Sequence, residues 1–214
     1  MPFESSPLFK RGIKAFRNFG YWRLRTKRQG WEGVWSQEGY SPYWKIKTIP
    51  KDIKDAVDSG WFPPGASLLD IGCGSGEIAA WLAEQGFEVL GVDFARAAIN
   101  LAKSQHHEAA GSLEFKVMDI CREAPPPARF SALLDRGCFH HLPKRLLSAY
   151  ARNIAACSIP GARLLLLAQT PKTPQVETTL KPMFEISRAE RTWIVEGSSD
   201  VNPYAGMAFW MIRR

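Results

Sequence analysis

One stretch constrains the fold of this chain more than any other: an apolar run followed by three glycines at alternate positions. The run covers residues 67–71, and the glycines are Gly72, Gly74 and Gly76. Because glycine permits tight turns and lets a ligand approach the backbone closely, the pattern predicts a strand that ends in a ligand-binding loop. A dinucleotide-binding loop would place a third, helix-packing glycine where Glu77 stands, so the spacing departs from that fingerprint.

Apolar strands alternate with helices along the rest of the chain. We predict strands at 67–71, 88–92, 113–118, 131–135 and 162–169, and helices between them at 77–85, 96–106 and 144–156. Nearly continuous apolar strands that alternate with helices indicate an α/β fold, with a parallel sheet covered on both faces. Two further strands at 185–196 and 207–212, joined by a turn-rich segment, predict an antiparallel C-terminal hairpin.

The first sixty residues differ in character from the rest. We predict a helix over 51–59 that buries Ile53 and Val57, and an irregular aromatic segment over 31–44. We therefore divide the chain into an N-terminal arm or lid over 1–60 and a domain over 61–214.

The positive charge of the chain is concentrated in that arm. Residues 1–30 hold eight of the 28 basic side chains and one of the 21 acidic ones, which accounts for the net charge of +7. A nucleic-acid-binding surface would extend over the face around an active site, so this distribution argues against a nucleic-acid partner. Residues 8–28 mix aromatic and basic side chains, which fits a cap over the site, a weak membrane-surface contact or a contact with RNA phosphates. We favour the cap, because the arm leads directly into the segment 31–44.

The cysteines and the apolar runs predict a cytoplasmic location. The four cysteines form no C-x-x-C pair and are typical of free thiols that pack as small hydrophobic side chains in a reducing compartment. No apolar run approaches membrane-spanning length, and basic residues interrupt the apolar ones near the N-terminus, unlike in a signal peptide.

Three acidic residues complete the pattern around the glycines. Asp70 stands two positions before the first glycine, Asp93 ends the second predicted strand, and Asp119 follows the third. This arrangement resembles motif I and its following strands in the class I S-adenosylmethionine-dependent methyltransferases. The resemblance implies a Rossmann-like fold, a mostly parallel seven-stranded sheet with an antiparallel C-terminal hairpin, and S-adenosylmethionine as the cofactor.

The same resemblance implies how the cofactor is held. The glycine loop would cradle the methionine part, Asp70 would orient the loop or the amino group, and Asp93 would bind the ribose hydroxyls. Phe94, Asp119 and Ile120 would contact the adenine, although Phe94 is equally well explained as core packing. The predicted cofactor-binding residues are Asp70, Gly72, Cys73, Gly74, Gly76, Asp93, Phe94, Asp119, Ile120, Trp35 and Trp44.

The fourth predicted strand runs into a second motif, DRGCFHH at 135–141. Together with the upstream aromatic segment 31–44, it resembles the small-molecule branch that contains thiopurine, halide and thiol methyltransferases. That branch implies a thiol or other soft nucleophile as the acceptor. We expect the protein to be a monomer or a homodimer. The predicted catalytic residues are His140, His141 and Asp135, and the predicted substrate-binding residues are Arg136, Phe139, Trp31 and Tyr43.

The residues leave several acceptors open. A thiol of low pKa needs little base, whereas a phenolic or carboxylic oxygen needs its proton removed, which His140 or His141 can do. Asp135 suits a cationic or amide substrate, and Arg136 suits an anionic one. Adjacent histidines do not face one way on a helix or a strand, so we expect at most one to act as a base, and two histidines alone do not indicate a metal site.

Two other classes of function are alternatives to small-molecule methylation. RNA or protein methylation is disfavoured, because the Asn-Pro-Pro-Tyr type of tetrapeptide used for planar nitrogens is absent after the fourth predicted strand. A non-catalytic cofactor-binding protein is disfavoured by the intact glycine loop and Asp93.

Overall fold

The computed structural model of the protein describes residues 28–37, 48–106, 112–195 and 204–214. The strands are β1 (Ser67–Ile71), β2 (Glu88–Asp93), β3 (Leu113–Val117), β4 (Phe130–Arg136), β5 (Ser158–Gln169), β6 (Phe184–Val195) and β7 (Tyr204–Arg213). The helices are α1 (Arg28–Trp35), α2 (Lys51–Asp58), α3 (Glu77–Glu84), α4 (Arg96–Gln105), α5 (Lys144–Cys157) and α6 (Thr173–Leu180). Two 3₁₀ turns cover Phe139–His141 and Thr170–Lys172.

The strands form one seven-stranded sheet in the order β3-β2-β1-β4-β5-β7-β6. Strands β1 to β5 are parallel, whereas β7 is antiparallel to both β5 and β6. The predicted fold class and the antiparallel C-terminal hairpin are therefore confirmed. Because the chain runs from β1 outward to β3 and then returns to β4, the carboxyl ends of β1 and β4 border the crevice where such sheets bind ligands.

Both faces of the sheet are buried, which explains the nearly continuous apolar strands. On β5, Leu164 and Leu166 belong to the core cluster on the α5 face, whereas Leu165 and Leu167 belong to the opposite cluster with α2 and α3. Successive side chains of a strand point to opposite faces, so each strand supplies both clusters. Packing in the two clusters holds the strands in place and so determines where their carboxyl ends, which form the site, lie.

Three local predictions need correction. Residues 28–35 form helix α1 within a segment predicted to be irregular from residue 31 onward, and α6 was not predicted. In α2 the buried side chains are Ile53 and Ala56, while Val57 faces inward as predicted but is only half-buried against the same core cluster. Helices α1 and α6 are short and pack against other elements, α1 against α4 and α6 against α5 and β5, so tertiary contacts stabilise them.

Parts of the predicted arm lie outside the described residues, namely 1–27 and 38–47. The cap, membrane and RNA interpretations of residues 8–28 stay predictions, as do the roles of Tyr43 and Trp44. Within the described ranges, no helix has the length and apolar character that crossing a membrane requires.

Candidate active site

A cavity of about 270 Å³ lies at the carboxyl ends of β1, β2 and β4. Its wall is built from the glycine loop, the ends of β2 and β3, the turn after β4, and α1. This is the position at which an open parallel sheet binds its ligand. The predicted cofactor and substrate residues that line it are Trp31, Trp35, Asp70, Gly72, Cys73, Gly74, Asp93, Phe94, Asp119, Ile120, Arg136, His140 and His141.

The glycine loop needs its glycines for conformation and for space. Gly72 has a φ of 72°, and a Cβ added there would lie 2.7 Å from the Cβ of Cys138. The loop therefore touches the turn after β4. Gly76 has a φ of 84°, and its added Cβ would lie 2.6 Å from Phe115. These close approaches explain why side chains are excluded at both positions.

Asp93 joins the end of β2 to the glycine loop. Its Oδ2 accepts a hydrogen bond from the Gly74 amide at 3.2 Å, and its Oδ1 accepts one from the Ala95 amide at 2.9 Å. Burial raises its pKa to about 6. The carboxylate is thus oriented at the cavity wall, in the position predicted for a group that binds ribose hydroxyls.

Asp70 presents a buried carboxylate to the cavity. It is 3% exposed, and no group among the described residues donates a hydrogen bond to its Oδ2. Burial, together with the nearby carboxylates of Asp135 and Asp93, raises its pKa to about 7. A buried carboxyl oxygen without a donor fits a ligand that brings a cationic amino group.

The loop after β3 is held by groups that sequence reasoning missed. Asp119 accepts a hydrogen bond from the Cys121 amide at 3.1 Å, and Arg122 lies 3.4 Å from its carboxylate. The amide of Asn153, on α5, donates to the Ile120 carbonyl at 2.7 Å. Asn153 lies 33 residues away in the chain, so local sequence patterns give no indication of this contact.

Helix α1 covers the glycine loop. Trp35 lies so close to Gly74 that an added Cβ would be 3.0 Å from the indole ring. Glu32 accepts a hydrogen bond from the Ala97 amide at 3.1 Å, at the N-terminus of α4, whose own N-cap residue Ala95 has no side-chain acceptor. Glu32 was not predicted, and it supplies a cap from a distant segment.

The two histidines of the second motif lie together in the 3₁₀ turn. Their ring centroids are 4.2 Å apart, and the His141 ring lies 5.1 Å from that of Trp31 in an edge-on arrangement. His140 is buried and His141 is half-buried, yet both line the cavity. A 3₁₀ turn, unlike the helix or strand considered from the sequence, brings both side chains to one wall.

Two residues of the same motif do not line the cavity. Asp135 is fully buried, and its carboxylate accepts hydrogen bonds from the Cys138 and Phe139 amides and from the Tyr150 hydroxyl. Phe139 is 1% exposed and packs edge-on against Tyr150 in the core. The predicted catalytic role of Asp135 and the predicted substrate contact of Phe139 are therefore corrected, because both side chains face inward beneath the turn.

Arg136 and His106 connect separate parts of the site. The Arg136 guanidinium lines the cavity and donates to the Ile194 carbonyl at 2.7 Å, which ties the end of β4 to β6. His106, at the end of α4, is half-buried and lies 3.1 Å from the Ser75 carbonyl. All four cysteines are free thiols, and Cys73 and Cys138, which line the cavity, are half-buried and pack against the core.

Known proteins resemble this arrangement. Residues 68–161 match the family model described as a methyltransferase domain. This stretch is similar to a methyltransferase domain, and the match covers less than half of the chain. The match supports the enzyme class and the S-adenosylmethionine cofactor predicted from the glycine loop. The finer resemblance to the thiopurine, halide and thiol branch stays a prediction.

Two curated relatives of this stretch are methyltransferases by name. A 2-heptyl-1-hydroxyquinolin-4(1H)-one methyltransferase of Mycobacteroides abscessus is 32% identical over 127 residues, which cover 59% of this chain and 55% of the relative. A ubiquinone biosynthesis O-methyltransferase of Xanthomonas campestris is 31% identical over 111 residues, 50% of this chain and 46% of the relative. The chain thus spans about half the length of these curated relatives.

The fold is shared with solved structures along nearly the whole chain. A magnesium protoporphyrin IX methyltransferase from Synechocystis PCC 6803, solved with bound S-adenosylmethionine, has a TM-score of 0.63 at 18% identity. The match covers 96% of this chain and 97% of that one. At this identity the likeness concerns the fold.

Because the Asp70 carboxyl group is buried, we expect its contribution to stability to decrease as the pH rises. Its pKa is about 7 in the folded protein against an ordinary 3.8, so the folded chain binds this proton more tightly than the unfolded chain. The free energy of unfolding contributed by Asp70 is therefore highest below the ordinary pKa and falls as the pH rises through the folded value. As the pH rises from about 5 to 8, we expect the free energy of unfolding to fall less in Asp70→Asn than in the wild type. Urea unfolding without ligand measures this difference.

The exposed Asp58 supplies the control for this experiment. Asp58→Asn removes a carboxylate of the same kind from the surface of α2, and it should keep the pH dependence of the wild type. Equal pH dependence in Asp70→Asn and the wild type would contradict the prediction.

Proposed function

We propose that this chain transfers the methyl group of S-adenosylmethionine to the acidic hydroxyl of a small, partly apolar molecule. The observation that supports this most is the division of charge within one cavity. Asp70, Asp93 and Asp119 lie at the ends of β1 to β3. On the other side of the cavity, Arg136 ends β4 and is followed by the 3₁₀ turn Phe139–His141, which we call the histidine turn. A cationic cofactor and an anionic acceptor would each meet the opposite charge.

The chain's own groups account for how the cofactor would be held. In this proposal Asp70 accepts hydrogen bonds from the α-amino group, Asp93 accepts them from the ribose hydroxyls, and Asp119 accepts one from the adenine amino group. When bound, S-adenosylmethionine supplies an electrophilic methyl carbon on a sulfonium sulfur. The glycine loop lets the backbone approach it, and Trp35 closes the cavity over Gly74, which limits access of water.

The acceptor would lie against the wall formed after β4. Arg136 and His141 both line the cavity. In this proposal Arg136 offers a positive charge to an ionised oxygen, and His141 takes the proton of a neutral hydroxyl. Trp31, Leu142 and Leu146 supply the apolar part of the same wall. Holding the oxygen in line with the methyl carbon in such a pocket is the main contribution to the rate.

The names of two relatives support oxygen as the attacking atom. One acts on a hydroxyquinolinone, and the other is an O-methyltransferase. A thiol is the competing acceptor, because the motif at 135–141 resembles the thiol and thiopurine branch. The partner would be a small molecule in either case; the monomeric or homodimeric state and the cytoplasmic location remain predictions.

Substitution of His141 distinguishes the two acceptors. We expect His141→Gln to lower kcat for a hydroxylated quinolone or phenol by about 100-fold, because the proton then lacks a base, while a thiol of low pKa loses far less. The affinity for S-adenosylhomocysteine, measured by calorimetry, should stay near that of the wild type, because the cofactor would be held at the ends of β1 to β3. Equal losses for both acceptors would argue against a role of His141 as the base, and transfer to thiols alone would argue against an oxygen acceptor.

A further inference from the structure

A buried polar pair lies directly beneath the histidine turn. Tyr150, fully buried on α5, donates its hydroxyl to Oδ2 of Asp135 at 2.6 Å. The other bonds to this carboxylate come from the backbone of the turn. The Cys138 amide lies 2.8 Å from Oδ1, and the Phe139 amide lies 3.0 Å from Oδ2. Asp135 thus connects the middle of α5 to the start of the turn.

Asp135 and Tyr150 hold the 3₁₀ turn that carries the two histidines proposed to face the acceptor. The 3₁₀ turn has no side-chain cap of its own, and the backbone bends sharply at Gly137, where φ is 100°. Since the Cys138 and Phe139 amides are the first donors of the turn, the Asp135 carboxylate takes the place of a cap. The next two residues, His140 and His141, line the cavity.

The Tyr150 hydroxyl determines which way that carboxylate faces. Oδ2 accepts hydrogen bonds from both the Tyr150 hydroxyl and the Phe139 amide. Tyr150 therefore holds this oxygen in the position from which it accepts the hydrogen bond of the turn. A carboxylate at the end of a strand can rotate about its terminal bond, and a buried hydroxyl on a 14-residue helix restrains that rotation. A misplacement of the turn by about 1 Å would move the histidines enough to matter for catalysis.

From these contacts we infer that Tyr150 and Asp135 are positioning residues that hold the histidine turn in its working geometry. The inference rests on the proposed function for its kinetic consequence. The geometric part, namely that Tyr150 restrains the turn through Asp135, is testable without any acceptor.

The first test removes the hydroxyl and keeps the ring. In Tyr150→Phe, amide hydrogen exchange at Cys138 and Phe139 should accelerate by at least about tenfold relative to the wild type, because their shared acceptor is no longer restrained. The matched control is Phe184→Leu, a fully buried side chain of the same core cluster that lies outside the cavity wall. If exchange in the turn accelerates no more in Tyr150→Phe than in this control, Tyr150 is a packing residue and the inference is wrong.

The second test uses kinetics with the acceptor that the wild type methylates. We expect kcat of Tyr150→Phe to fall about 10- to 100-fold, while the affinity for S-adenosylhomocysteine stays within about twofold. Phe184→Leu should lose stability and keep kcat. A Tyr150→Phe variant with wild-type kcat would overturn the inference. A wild type that transfers no methyl group would contradict the proposed function instead, and hydrogen exchange would still decide the role of Tyr150.

Discussion

Replacing Asp93 with alanine is expected to reduce the affinity for S-adenosylhomocysteine by about 100-fold or more. The ribose hydroxyls would lose their carboxylate acceptor, and the Gly74 and Ala95 amides would lose the acceptor that they share in the free protein. Both losses act on cofactor binding, because the hydrogen bond from Gly74 to Asp93 holds the glycine loop against the end of β2. Calorimetric titration of the purified chain measures the effect directly.

Two further variants test whether the effect depends on the negative charge of Asp93 and on its position at the cavity. Asp93→Asn keeps one carbonyl oxygen as an acceptor, so we expect an affinity between those of the wild type and Asp93→Ala. Asp58→Ala removes an exposed carboxylate on α2 and should bind as the wild type does. Wild-type affinity in Asp93→Ala would show that the cofactor is not held at the end of β2, and the proposed function would lose its basis.

Gly72→Ala is expected to cause the second large effect, on folding stability and cofactor binding together. The new methyl group would lie 2.7 Å from the Cβ and 3.3 Å from the Sγ of Cys138, and the φ of 72° is unfavourable for alanine. One of the two loops must move, so the cavity wall opens where they touch. We expect a loss of about 3 kcal/mol in the free energy of unfolding, measured by urea denaturation.

Gly86 provides a control for the backbone strain alone. It has a φ of 90°, but among the described residues no atom other than those of its chain neighbours lies within 4 Å of an added Cβ. Gly86→Ala should therefore cost only the strain of the left-handed backbone, about 1 kcal/mol, and leave cofactor binding unchanged. The difference between the two variants gives the cost of separating the glycine loop from the turn after β4. Equal losses in both would contradict the contact with Cys138.

Much of the cofactor side was predictable because its residues follow strand ends in chain order. Asp70, Asp93 and Asp119 are each identified by the apolar run before them, and parallel strands bring their carboxyl ends to one edge. The outcome for Asp135 differs, although it too lies near a strand end. Its side chain faces the α5 side of β4, and only the three-dimensional packing shows that Tyr150 and the turn amides surround it.

The groups missed by sequence reasoning share a physical cause. Glu32 caps α4 from 65 residues away, and Asn153 holds the Ile120 carbonyl from 33 residues away. Long-range hydrogen bonds of this kind follow no periodicity, so a single sequence carries no pattern that pairs the two ends. Both were found only when the helices had been placed against the sheet.

The sequence by itself determined the α/β fold, the glycine loop and the acidic residues at successive strand ends, because local chain order and apolar periodicity encode these features. Tertiary structure alone decided which side chains of the DRGCFHH motif reach the cavity. His140 and His141 do so because a 3₁₀ turn follows β4, whereas Asp135 and Phe139 are buried by α5. The direction of a side chain in a short turn depends on what packs beneath it, and that partner lies elsewhere in the chain.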